Sequence, residues 1–136
     1  MLKKRLSIPH VPKRILSLQH YFPILQFLNE QDIPLYCQGS YLLQQSIFPD
    51  LKPNDVDILG CHSNLKQLEY DLISICSITP TLTAYYLQFS FQDCDITIYR
   101  NLSSLGVGMS NYDVISPLIF SNHSLQLAPL LNKATF

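Results

Sequence analysis

Apolar residues recur at helical spacing over residues 14–29, "RILSLQHYFPILQFLN", where Ile15, Leu18, Phe22, Leu25 and Leu28 share one face. Pro23 interrupts that run and predicts either a kink in one helix or the start of a second. "IPLYC" at 33–37, headed by a proline, predicts a short strand that Gly39 ends. "SYLLQQSIF" from Ser40 then predicts a short helix capped by that serine. Residues 48–55, "FPDLKPND", are turn formers and predict a loop. "DVDILG" follows as a strand stopped by Gly60. At 63–75, "SNLKQLEYDLISI" places a capping Ser or Asn ahead of Leu65, Leu68, Leu72 and Ile75 and predicts a helix. "TAYYLQFSF" and "CDITIY" alternate as strands and predict a hairpin around Gln92-Asp93. "LGVGMSN" predicts a loop, "YDVISPLIF" suits strand or helix, and the tail from Ser121 has no assignable pattern.

This order of elements predicts an α+β domain: a small mixed β-sheet with helices packed mainly on one face. The 136 residues suit a single domain, 1–136, with its core over about 15–100. The composition changes the picture in one respect. Charged residues make up 14% of the chain, against roughly 25% in ordinary soluble domains. A surface of Gln, Ser, Asn and Tyr repels other proteins weakly, which leaves a protein partner, a homo-oligomer and a low-charge monomer all open.

A net charge of −1 offers nucleic acid no global attraction. The basic clusters, Lys3 to Arg5 and Lys13-Arg14, lie near the start of the chain and read as a solvated terminus or as a phosphate-touching arm. No apolar run follows them, so neither a signal peptide nor a membrane span is expected. Cys37, Cys61, Cys76 and Cys94 show no CxxC pair and no zinc-like His spacing. They are expected to be reduced thiols, mostly buried, in a cytoplasmic protein.

The candidate chemistry lies in "CQGSYLLQQSIFPDLKPNDVDIL", residues 37–59. Asp55 and Asp57 share a face at the mouth of a strand, and like charges so placed repel unless a cation sits between them. Mg²⁺ is the natural ion, since it takes hard oxygen ligands and keeps positions for water and phosphate. In "FQDCDITIYR", Asp95 shares parity with Thr97 and Tyr99 while Cys94, Ile96 and Ile98 face a core, so an acid stands among strand formers. Asp93 is a turn residue or an alternative third ligand. Gly39 permits close approach of the backbone to a ligand, and Ser40 opens a helix whose free N–H groups favour an anion. Lys52 is a loop lysine within possible reach of a triphosphate. Arg100 is a partner for Asp95 or phosphate, or a cap for its strand. Tyr36, Tyr41, Tyr85, Tyr86 and Tyr99 are candidates for stacking a base or for packing.

Apolar strand, Gly-Ser, short helix, loop, Asp-x-Asp and a later strand with a third Asp resembles the nucleotidyltransferase fold of the DNA polymerase beta superfamily. The look is closest to the head domain of poly(A) polymerases and CCA-adding enzymes, or to small stand-alone nucleotidyltransferases, over about residues 15–100. The resemblance implies that Asp55, Asp57 and Asp95 are catalytic and hold Mg²⁺ or Mn²⁺, and that Gly39 and Ser40 bind the nucleoside triphosphate. It further implies transfer of a nucleoside monophosphate to a hydroxyl of an RNA or protein acceptor. A second subunit could supply the acceptor-holding part, as in toxin–antitoxin pairs of this superfamily. The chain departs from the pattern at Leu43-Gln44, where bacterial CCA-adding enzymes carry an Arg-Asp pair, and in the fourteen residues between Ser40 and Asp55. After Arg100 no arginine-rich segment and no neck or body domain is recognisable. The alternative from another class is therefore a catalytically silent nucleotidyltransferase-fold subunit that binds or regulates.

Overall fold

Pro23 settles the first element. A proline has no N–H to give a helix but fits its first turn. The long periodic run accordingly divides into a 3₁₀ turn, Leu18–Tyr21, and an α-helix, α1 (Phe22–Glu30), with Pro23 in its opening positions. The computed structural model of the protein describes residues 16–101 and 114–132. Residues 14 and 15, the two basic clusters, the loop at 105–111, and Tyr112 and Asp113 lie outside the described residues.

Strand β1 (Leu35–Gln38) leads directly into helix α2 (Gly39–Ser46), and β2 (Val56–Cys61) follows the loop. Helix α3 (Leu65–Cys76) is capped by Asn64, whose side chain accepts from the Gln67 N–H at 3.2 Å. It ends at Ser77, which takes a left-handed conformation at φ 56°. A short strand β3 (Thr81–Leu82) precedes the hairpin of β4 (Tyr86–Phe91) and β5 (Cys94–Tyr99), which turns at Gln92 with φ 53°. Strands β6 (Val114–Phe120), β7 (Leu125–Leu127) and β8 (Leu131–Asn132) complete the described elements.

The sheet runs β3-β4-β5-β2-β1-β6-β7, with β8 also pairing β6. β2 and β5 are parallel and every other pair is antiparallel, so the protein is α+β with a mixed sheet. Side chains on a strand alternate faces. Cys37, Val56, Ile58, Cys94, Ile96 and Ile98 therefore point together into a core shared with Leu25 and Leu28 of α1, Leu42 of α2 and Leu68 and Leu72 of α3. Among the described residues the opposite face carries a small apolar cluster of Leu59 and Ile115 with Tyr36 and Tyr99 against it.

Three sequence expectations are corrected, and one left open between strand and helix is decided. Helix α2 begins one residue earlier than Ser40 and its N-cap is Gln38, which caps through backbone geometry and makes no side-chain cap bond. The fourth hairpin residue, not Thr83, opens β4, because the Thr83 hydroxyl accepts the N–H groups of Tyr85 and Tyr86 in a turn. The segment containing Pro117 is a strand: the Pro117 carbonyl accepts from Ala128 N–H at 2.8 Å. Carbonyl and N–H of one strand residue face the same side, so the missing N–H of Pro117 is turned away from β1 and leaves that pairing intact.

Gly60 is the third correction. It lies inside β2 instead of stopping it, and the reason is space. A Cβ at Gly60 would sit 2.7 Å from Ile98 Cδ1 and 3.0 Å from both Ile33 Cγ2 and Leu35 Cδ2. Overpacking of this kind costs about 1–3 kcal/mol. Gly60→Ala is expected to lose that much stability in urea unfolding. Ile98→Val, which deletes the nearest methyl, should recover part of the loss when combined with it, so that the double variant is less destabilised than the two single losses added together.

A carboxylate cluster at the mouth of two parallel strands

The open face of the sheet is built in rows. Across the parallel ladder Asp57 stands in register with Asp95; across β1 and β2 it faces Gln38; and Asp95 in turn faces Ser90 on β4. Asp55 precedes β2 by one residue. Val56 N–H donates to the Asp93 carbonyl at 2.7 Å, which ties the entrance of β2 to the hairpin turn and draws Asp55 toward Asp95. One carboxylate oxygen from each of Asp55, Asp57 and Asp95 lies within 4.8 Å of the others. The three acids named from the sequence thus meet, and Asp93 contributes its backbone and not a place in the triad.

Burial and like charge dominate this gathering. Asp57 is pushed up to about 6, first by burial and then by the charges of Asp55 and Asp95. Asp55 is raised by burial and by Asp95 and Asp93. No Lys or Arg of the described residues lines the groove beside the cluster. Ser90 Oγ donates to Asp95 Oδ1 at 2.6 Å and fixes the orientation of that carboxylate.

The Gly39-Ser40 corner adjoins the acids directly. Gly39 has φ 86°, and a Cβ there would overlap Asp57 Oδ2 and lie 3.3 Å from Asp57 Cγ. Only glycine tolerates both the backbone angle and the contact. Ser40 is the next residue, in the first turn of α2, so the N–H groups that open this helix start beside the carboxylates. Beneath the sheet, burial pushes the Cys37 thiol up to about 12 and Cys94 well above its ordinary value. Both stay protonated on the core face, and all four cysteines are free thiols. The donor set is therefore oxygen alone, which fits a hard divalent cation such as Mg²⁺ or Mn²⁺ better than a thiophilic one.

Other candidates take plainer roles. Arg100 caps its strand end, with Nε donating to Ala84 O at 2.9 Å and its N–H to Tyr85 O. Lys52 is exposed in the loop, and His62 donates its N–H to Tyr99 O. Tyr41 is buried, whereas Tyr86 and Tyr99 pack edge to face with centroids 6.0 Å apart. Two residues had escaped notice. Ser90 carries a parity signal, sharing with Gln88 the face of β4 opposite Leu87 and Phe89. Gln38 carries none, because a neutral amide beside Gly-Ser looks like a surface residue; yet its Oε1 is buried with no hydrogen-bond partner.

No protein-family model matches the chain, and no curated protein or solved structure matches it either. Among the described residues no helix is long and apolar enough to cross a membrane.

The raised carboxyl gives a signed expectation. Asp57 ordinarily titrates at 3.8 and here near 6, so the fold holds a proton that the unfolded chain releases. Without metal, stability through this group falls as pH rises from about 4 to 6 and the full penalty applies above that. Asp57→Asn should therefore melt about 2–4 °C higher than the natural protein at pH 7.5, the shift given by roughly 1 kcal/mol of relieved repulsion. The difference should close near pH 4. Adding Mg²⁺ at pH 7.5 should raise the melting temperature of the natural protein and leave that of the variant in place.

Proposed function

We propose that the protein is a metal-dependent nucleotidyltransferase of the polymerase-beta-like fold, moving a nucleoside monophosphate from a nucleoside triphosphate to a hydroxyl of an RNA or protein acceptor. The observation that carries this reading is the meeting of Asp55, Asp57 and Asp95 beside the Gly39 corner that opens α2. Asp55, Asp57 and Asp95 would hold the metal. When bound, Mg²⁺ or Mn²⁺ neutralises the carboxylates, lowers the pKa of the acceptor hydroxyl and stabilises charge on the leaving pyrophosphate.

The chain's own groups divide the remaining work. The opening turn of α2 offers N–H groups and the positive end of a helix dipole to the triphosphate. Gly39 lets Asp57 lie against that turn, which joins the phosphate-binding and carboxylate elements without an intervening side chain. Asp95, whose carboxylate is oriented by Ser90, would take the acceptor proton. The acceptor oxygen forms a bond to the α-phosphorus while the bond from that phosphorus to the bridging oxygen breaks, and pyrophosphate leaves.

A second reading is a silent subunit of the same fold. It is favoured by the composition of α2, "GSYLLQQS", which has Leu43-Gln44 where bacterial CCA-adding enzymes have an Arg-Asp pair and brings no cation to the phosphates. Calorimetry with ATP, CTP, GTP and UTP in the presence of Mg²⁺ separates the two. Metal-dependent binding of at least one nucleotide is expected, and its absence leaves the silent subunit. Asp55→Ala and Asp57→Ala should each lower transfer of α-labelled nucleotide by at least about 100-fold, corresponding to ~2.7 kcal/mol of transition-state stabilisation. Equal labelling by natural and variant proteins would remove these residues from the chemistry.

A further inference from the structure

Below the carboxylates the open face of the sheet continues in two more rows. Gln88, Thr97, Leu59 and Tyr36 stand in register across β4, β5, β2 and β1, followed by Tyr86, Tyr99 and Cys61. A groove of about 290 Å³ runs down this face, with Asp57 and Asp95 at one end, Tyr99 at the other, and Gln38 and Gln88 among its walls. It is large enough for one side chain or a comparably small group.

The charge in this groove is confined to its acidic end. The rest of its described lining is amide, hydroxyl and aliphatic, with no Lys, Arg or His. Arg100 is engaged at the end of β5. Lys66 is exposed on α3, whose apolar side packs against the other face of the sheet, and Lys52 is exposed in the loop before Asp55. An RNA strand carries a phosphate at each nucleotide and binds chiefly by pairing those phosphates with Lys and Arg. The described walls of this groove provide no such pairing and set carboxylates in the path. A polypeptide brings neutral N–H, C=O and hydroxyl groups instead, which amide and hydroxyl side chains match.

Gln38 adds a specific requirement. Its Oε1 is buried and lacks a hydrogen-bond partner, a condition that costs about 1–3 kcal/mol. Gln38 faces Asp57 across the strands, and the Asp57 carboxylate rests on the next residue, Gly39. Gln38 lines the groove, and a donor entering beside Asp57 meets that oxygen once the amide turns toward it.

We propose that the groove is the acceptor subsite and that it takes a hydroxyl-bearing side chain of a protein, with Gln38 Oε1 accepting a hydrogen bond from the incoming polypeptide. This inference rests on the nucleotidyl-transfer reading above. The Ser, Thr or Tyr oxygen becomes esterified to the α-phosphorus, pyrophosphate departs, and the hydroxyl proton passes to Asp95.

The test supplies the full chain with Mn²⁺ and each α-labelled nucleoside triphosphate. One arm contains a pool of neutral synthetic peptides bearing Ser, Thr or Tyr; the other contains RNA oligonucleotides with free 3′ hydroxyls. Labelling of peptide at least tenfold above RNA is expected. Gln38→Met should cut peptide labelling at least fivefold while raising the melting temperature of the metal-free protein, since the unpaired acceptor is gone. Thr97→Val, nearly the same shape without the hydroxyl, should also reduce labelling and serves if the first variant folds poorly. Preferential labelling of RNA overturns the proposal, as does peptide labelling indifferent to both substitutions. Metal-dependent nucleotide binding with no peptide labelled overturns the acceptor assignment alone. Absence of metal-dependent nucleotide binding overturns this assignment and the transfer reading together.

Discussion

The parallel pairing of β2 with β5 is the constraint on which the rest of the structure depends. Its register sets Asp57 beside Asp95, and the bond from Val56 N–H to Asp93 O at its mouth brings Asp55 into the same place. Left to electrostatics these carboxylates would separate. They are held by a backbone ladder and by the apolar residues directly beneath it, among them Val56, Ile58, Cys94 and Ile96, all fully buried. Burial of such side chains stabilises by about 1.5–3 kcal/mol each, enough to carry a local repulsion of the size expected here. The repulsion is then a property the fold tolerates at one edge, where a cation can answer it.

The low charge of the chain sharpens that arrangement. With few cations anywhere, the described structure does not neutralise the acids internally, and burial raises Asp57 instead of an ion pair lowering it. The same burial keeps the Cys37 and Cys94 thiols protonated on the far side of the sheet. Beside the carboxylates the strands turn oxygen toward the groove and the Cys37 and Cys94 sulfurs toward the core, and a cluster of oxygen donors suits a hard cation.

Much of this was legible in the residues. Helical spacing identifies α1 and α3, and alternation identifies the hairpin, because each has a long enough run for its period to show. The three acids were legible for a different reason: an ionised group among strand formers is costly, and shared parity suggests a shared purpose. The parallel register was not legible, since nothing local distinguishes a strand that pairs with its neighbour in sequence from one that pairs across α3. β3, β7 and β8 are too short to display a period. Gly60 looked like a stop because glycine often is one, and only the packing of Ile33, Leu35 and Ile98 around it shows otherwise. Gln38 was silent for want of charge; its meaning depends on burial, which is a property of the assembled sheet.

The order in which the chain passes through its sheet has a kinetic consequence. α3, β3 and β4 all lie between β2 and β5 in sequence, so the closing ladder joins distant segments and bears the loop-closure cost of a non-local contact. The acids therefore converge only when this non-local pairing forms. An ion held between them would bind the folded molecule alone, and so would act as a latch against its opening.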